Sequence, residues 1–178
     1  MPAPVLIRPA TVADLTEVAA IFAGYVRDSV VTFELDPPGL RVWEERLDQL
    51  TGAGWPFLVA TIEDQLAGYA YVAPWRTKPA YRHTVEDSVY LAPAWAGRGV
   101  GRVLLRALID AATAAGARQM MAMISDTGDG ASTALHRRLG FAPVGRLTSV
   151  GYKHGRWIDV QLLQRSLGRG ADTDPDPA

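Results

Sequence analysis

The chain has 178 residues, 48% hydrophobic and 21% charged, a composition that fits one globular domain and excludes disordered or fibrous classes. Eighteen Lys and Arg against nineteen Asp and Glu leave a net charge of −1, so no basic field draws in nucleic acid or anionic lipid. The absence of Cys excludes disulfides, thiolate metal sites and a cysteinyl acyl-enzyme, and no apolar run reaches the roughly 18 residues of a membrane span.

Val5 to Arg8 is a short apolar run, followed by Thr11-Val12-Ala13-Asp14, a Thr and an acid spaced as in a capping box. A helix is predicted from there, with Leu15, Val18, Ala19, Phe22 and Val26 on one stripe. After the Asp36-Pro37-Pro38-Gly39 breaker, Leu40, Trp43, Leu47 and Leu50 predict a second helix that stops at Gly52 and Gly54. Phe57 to Ile62 and Leu66 to Val72 are rich in β-branched and aromatic residues and predict a hairpin about Asp64-Gln65.

A polar loop from Pro74 to Arg82 leads to a third extended run, Thr84 to Leu91, and then to a glycine-rich turn. From Gly101, the residues Leu104, Leu108, Ala111, Ala112 and Ala115 line a helical face that Gly116 ends. Met120 to Ile124 is extended, Ala131 to Leu139 is a short helix, and Val144 to Tyr152 and Trp157 to Leu163 are the last strands. The sum is a mixed α+β domain over residues 1–167, a largely antiparallel sheet with one or two helices on each face. Residues 168–178, with Asp-Pro-Asp-Pro, are expected to form a frayed tail. The opening Met-Pro-Ala-Pro has neither part of a signal peptide, and a cytoplasmic location is expected.

The segment Trp95-Ala96-Gly97-Arg98-Gly99-Val100-Gly101-Arg102 places glycines just ahead of a helix whose first N–H groups lack partners. Such an end favours anions, and Arg98 and Arg102 add charge, so the pyrophosphate of a nucleotide cofactor is a natural guest. An ordinary turn with solvated arginines is the plain alternative. No Gly-Lys-Ser/Thr follows, as a P-loop requires, and Leu104 stands where a dinucleotide fingerprint has its third Gly. Both ATP and NAD are disfavoured. His83 and His154 have no spacing partner for a metal, and none is expected.

With Gly99 and Gly101 in place, the chain resembles the GNAT superfamily of acyl-CoA-dependent N-acyltransferases over roughly residues 5 to 167. The first position of the family's pyrophosphate loop, Gln or Arg, is Ala96 here. The resemblance implies six to seven strands, splayed between the strand ending at Leu91 and that near Met120, with about four flanking helices. It implies acetyl-CoA as cosubstrate, its pantetheine arm against the backbone of Val89, Tyr90 and Leu91. Its pyrophosphate would lie on Gly97 to Arg102, Val100 included. Asp129, where the family often has Asn, and Ser132 are the remaining expected cofactor contacts.

Trp75-Arg76, Ala80-Tyr81, Thr84-Val85-Glu86-Asp87-Ser88-Val89-Tyr90-Leu91 and Gly151-Tyr152-Lys153-His154-Gly155-Arg156-Trp157 are similar to the phosphinothricin and methionine sulfoximine N-acetyltransferases within that superfamily. An attacking α-amine, with a reference pKa of about 7.7 to 8.0, must lose a proton. Glu86 matches the family's base, and Asp87 should face the other way, because side chains alternate along a strand. His136, where many members carry Tyr, is the candidate to assist the departing thiolate. For the acceptor, Arg76 or Arg82 suits a carboxylate, Phe33 and Tyr81 an apolar wall, and Lys153 completes the expected pocket. The resemblance also implies a homodimer. Another amine acceptor, such as a peptide N-terminus or an aminoglycoside, and a noncatalytic acyl-CoA sensor remain as alternative readings.

Overall fold

The computed structural model describes residues 4–175. Seven strands form one sheet: β1 (Leu6–Pro9), β2 (Phe57–Ile62), β3 (Gln65–Pro74), β4 (Thr84–Leu91), β5 (Gln119–Ser125), β6 (Ala142–Lys153) and β7 (Arg156–Ser166). Their order is β1-β2-β3-β4-β5-β7-β6, and every neighbouring pair is antiparallel except β4 and β5. Four helices flank it: α1 (Leu15–Asp28), α2 (Leu40–Gly52), α3 (Val100–Ala114) and α4 (Ala131–Arg138). The mixed, mostly antiparallel sheet and its helices are those the sequence predicts.

The helical stripes decide the layers. Leu15, Val18, Phe22 and Val26 of α1 and Trp43, Leu47 and Leu50 of α2 pack on Phe57, Val59, Tyr69 and Tyr71 of β2 and β3. On the opposite face, Leu104, Leu105, Leu108 and Ile109 of α3 meet Leu58, Ala60, Ala70, Val72 and Val85. Each of those four α3 side chains contributes about 1.5 to 3 kcal/mol by burial. All six residues of β2 are buried because both faces are covered, which is why all but Thr61 are apolar.

Before α1 comes one 3-10 turn, Val12–Asp14. The Asp14 carboxylate accepts the Thr11 N–H at 2.7 Å and pairs with Arg8 at 2.7 Å. Those donors hold its pKa down at about 2, with the Arg8 hydrogen bond the largest cause. Beyond β7, Leu167 is buried, and the Arg118 guanidinium donates to the Thr173 carbonyl and hydroxyl and to the Asp174 carbonyl. The expected tail thus folds back on Arg118 as far as it is described, and its residues 176–178 lie outside the described residues.

What positions the site is the join of β4 and β5. Only three pairs link them, Thr84↔Gln119, Val85↔Met120 and Glu86↔Met121. Past that fork β4 stays with β3 up to Gly68↔Leu91, while β5 stays with β7 up to Ser125↔Val160. The two strands part, and the sheet is splayed in its middle.

Candidate active site

The antiparallel ladder between β3 and β4 fixes which main-chain groups face the gap. Ala92 N–H bonds to the Ala67 carbonyl and Trp75 N–H to the Thr84 carbonyl. Alternation then turns the main chains of Glu86, Ser88 and Tyr90 towards β3, and those of Asp87, Val89 and Leu91 towards the gap. The Leu91 carbonyl accepts the Tyr25 hydroxyl at 2.9 Å. Val89 is thus the centre of the open polar edge, whereas Tyr90 has its main chain turned to Tyr69 and its ring packed on Phe22, Tyr25 and Tyr69.

At the far end of the gap the glycine loop enters α3. Gly97 and Gly99 have φ of +74° and +85°, a region open to glycine, and a Cβ at either would meet nothing within 4 Å. Both therefore present uncovered backbone to an incoming phosphate. Gly101 serves packing instead: a Cβ there would lie 3.3 Å from Leu91 and 3.4 Å from Leu135. Val100 turns into the core. Arg98 stands over the Trp95 ring at 5.3 Å, and Arg98, Arg102 and Arg106 line one cleft of about 490 Å³ with Gly99. Among the described residues none of these three arginines pairs with a carboxylate. Arg106, one turn beyond Arg102, was not singled out from sequence, although its i+4 spacing along α3 would have shown it.

Side chains alternate along β4. Val85 lies in the core beneath α3 and Tyr90 in the core beneath α1, so Glu86 shares the α1 face and Asp87 the α3 face. Glu86 is half-buried, and its carboxyl is pushed above the usual range, first by burial, next by Asp87, with Arg76 opposing. Of the loop cations, Arg76 is the one whose charge opposes that upward shift. Its guanidinium lies 3.9 Å over the Trp75 ring and donates to the Trp75 carbonyl at 2.8 Å, a preformed orientation. Arg82 and Tyr81 are exposed at the end of the same loop.

The segment after α1 runs across the mouth of the gap on this face. The Ser125 hydroxyl of β5 reaches the Val31 carbonyl at 3.4 Å, and the Lys153 ammonium of β6 donates to the Thr32 carbonyl at 2.8 Å. The Phe33 ring lies on Gly151, where a Cβ would come within 2.3 Å of it. Lys153, expected in the acceptor pocket, is only 4% exposed; its ammonium is spent on the loop, and burial lowers its pKa, with Glu34 opposing.

On the α3 face, His136 is 4% exposed. Its Nδ1–H donates to the Ser132 carbonyl at 2.7 Å, and its Nε2–H donates to Asp87 Oδ2 at 2.9 Å. A carbonyl only accepts, so Nδ1 carries a proton, and a second proton on Nε2 makes the ring an imidazolium facing a carboxylate. Burial alone would lower its pKa; the Asp87 charge, with the hydrogen bonds to Asp87 and Ser132, holds it above the ordinary value. Both N–H groups are engaged, so a proton could reach a thiolate from His136 only by breaking one of these two hydrogen bonds. Asp129 caps α4, accepting the Ala131 N–H at 3.0 Å and the Thr127 hydroxyl at 2.9 Å, which lower its pKa. Asp87 was placed by alternation but not recognised as the partner of His136. The available signal was an acid on the apolar face of a strand, which requires a partner.

A parallel pair that parts at a half-buried carboxylate, with a glycine loop and helix N-terminus at the far end of the gap, makes an elongated cleft with a proton acceptor at one end and an anion-binding backbone at the other. The chain belongs to the GNAT family: the model of the acetyltransferase (GNAT) domain matches residues 7–162. It is 45% identical over 163 residues to a phosphinothricin N-acetyltransferase of Alcaligenes faecalis, covering 92% of this chain and 83% of that one. It is 40% identical over 162 residues to the L-methionine sulfoximine/L-methionine sulfone acetyltransferase of Pseudomonas aeruginosa, covering 90% and 94%. A crystal structure of a phosphinothricin acetyltransferase from Sinorhizobium meliloti in complex with acetyl-CoA superposes with a TM-score of 0.93 at 42% identity, over 97% of this chain and 93% of that one. The protein is an acetyl-CoA-dependent N-acetyltransferase. Among the described residues no group of three His, Cys, Asp or Glu side chains is placed to hold a metal, and no helix is long and apolar enough to cross a membrane.

Proposed function

We propose that this enzyme acetylates the α-amine of a small amino-acid-like acceptor of the phosphinothricin, methionine sulfoximine or methionine sulfone type, by direct attack in a ternary complex. The observation that carries this reading is Glu86: a half-buried carboxyl with a raised pKa at the fork, faced by the field of a preformed Arg76. Acetyl-CoA supplies the activated acyl group. Gly97, Gly99 and the first N–H groups of α3 would hold its pyrophosphate, with Arg98 and Arg102 adding charge, and the main chain of Val89 would receive its arm.

Glu86 takes the proton of the acceptor ammonium, directly or through a water, and the upward shift that burial gives its carboxyl is in the direction a general base needs. Arg76 receives the acceptor carboxylate in two-pronged geometry, and Phe33 and Tyr81 border the side chain. A homodimer fits the long outer strand β6, which exposes Leu147, Val150 and Tyr152 beside Trp157 of β7. Replacing Glu86 by Gln, with thiol release from acetyl-CoA measured against phosphinothricin, tests the assignment. A kcat/KM loss of about 10² to 10⁴ at pH 7, shrinking as rising pH deprotonates the free amine, is expected. Wild-type rates in a folded Glu86→Gln protein would remove Glu86 from that role.

A further inference from the structure

The parting of β4 and β5 leaves a mechanical question. Past Glu86↔Met121 no ladder bond joins the two strands, so something else must set how wide the gap is. Asp87 is the first residue beyond the fork on β4, and its side chain crosses to α4, the helix that follows and packs on β5. His136 is itself fixed on the β5 side, by the Ser132 carbonyl at 2.7 Å and by the Phe141 ring, edge-on at 5.0 Å. Both partners of the crossing bond are buried, with side chains 5% and 3% exposed. The charged group facing the ring is Asp87 of β4; Ser132 contributes a carbonyl and a hydroxyl from α4, and Phe141 an uncharged ring from the segment before β6.

We propose that the Asp87–His136 bond is a tie that sets the width of the gap, making Asp87 and His136 positioning residues for acetyl-CoA. The bond takes the place of the ladder bonds that end at Glu86, and it holds α4 and β4 at a fixed separation while the main-chain groups of Asp87 and Val89 stay open to a guest. The other Asp87 oxygen, Oδ1, is buried with no partner, so a fully satisfied structural ion pair does not describe this site. An acid left half-paired beside an open slot is retained at a cost in desolvation, which a role in holding the slot explains.

The inference rests on the placement of acetyl-CoA in the gap. Its test reads acetyl-CoA binding by calorimetry without acceptor, so it depends neither on which amine is acetylated nor on Glu86. Gly99→Ala, which disturbs the phosphate loop and leaves the tie intact, reads the placement separately.

Asp87→Ala cuts the tie, and acetyl-CoA affinity should fall about tenfold, the scale of one charge-assisted hydrogen bond. Asp87→Asn keeps it in neutral form: the amide N–H donates to Nε2 of an imidazole whose proton stays on Nδ1. Affinity in Asp87→Asn should therefore return to within about twofold of wild type. Wild-type affinity in a folded Asp87→Ala protein, or a loss in Asp87→Asn as large as in Asp87→Ala, overturns the proposal.

Should Asp87→Ala not fold, pH decides between the other two proteins. In wild type the imidazolium is present below its raised pKa; as pH climbs through that pKa the ring keeps the proton facing the Asp87 carboxylate and loses the one on Nδ1, so the tie loses its charge assistance and the ring its anchor on the Ser132 carbonyl. Affinity should then decline in wild type and stay level in Asp87→Asn. Parallel pH profiles for the two overturn the proposal as well.

Discussion

Replacing Lys153 by Met separates two ways in which this cation could serve an amino-acid acceptor. The ammonium is 4% exposed and donates at 2.8 Å to the Thr32 carbonyl, one residue before Phe33. A hydrogen bond with one charged partner contributes about 1.5 to 3 kcal/mol, and burying the ammonium opposes it, the same burial that lowers its pKa. Methionine has a similar length and no charge to desolvate, so overall stability should change by less than about 1 kcal/mol, and Tm by no more than about 2 to 4 °C. The local effect does not cancel, because the segment carrying Phe33 loses its anchor on β6. We expect acceptor kcat/KM to fall about 10- to 100-fold and acetyl-CoA affinity to stay within about twofold. The assay is steady-state thiol release with the acceptor varied at saturating acetyl-CoA, repeated with the acceptor's carboxamide. A tether acts equally on both acceptors, whereas an ammonium touching the acceptor carboxylate would matter for the free acid alone. An unchanged acceptor KM in folded protein, or a loss confined to the free acid, would refute the tether.

Other consequences follow from single contacts. Gly99→Ala puts a side chain at φ +85° in the phosphate loop, and should weaken acetyl-CoA binding about tenfold by calorimetry while lowering Tm by a few degrees. Gly151→Ala pushes a Cβ to 2.3 Å from the exposed end of Phe33; the ring should swing aside, raising acceptor KM with acetyl-CoA affinity unaltered, as separate titrations of the two substrates would show. Asp14 has its pKa depressed to about 2, so the stability it contributes is present above the unfolded carboxyl pKa of about 3.9 and is lost as pH falls towards 2. Acid unfolding of Asp14→Asn should show a flatter dependence between those values than wild type.

Much of the architecture was legible because local signals agreed with the final packing. The stripes on α1, α2 and α3 became the buried faces except at two helix ends, where Leu40 and Ala115 are exposed, and the glycines before α3 adopted the positive φ that makes a backbone cradle. The splay came from family resemblance alone; nothing in the composition of β4 or β5 says that their pairing stops after three residues. The two polar links that bracket the gap were not legible either, since Asp87 and His136 are 49 residues apart and Thr32 and Lys153 are 121 apart. A lysine in a family-like motif reads as a substrate contact until tertiary packing shows its ammonium turned to a carbonyl. Strand β6 was legible except for Ala142, Pro143 and Lys153 at its ends, while the register shift between Leu147 and Gly151, inside the expected range, left no signal in the sequence. Ser149 occupies that shift with φ +50°, its N–H held by Asp159 at 2.7 Å.

The most direct test of the account is thiol release from acetyl-CoA across phosphinothricin, methionine sulfoximine, methionine sulfone, ordinary amino acids, short peptides and an aminoglycoside, with products identified by mass spectrometry. Turnover selective for the first three, with the acetyl group on the α-nitrogen and intersecting double-reciprocal lines, is the predicted result. Tight acetyl-CoA binding with turnover only of a peptide or an aminoglycoside, or of no amine in the set, would contradict it.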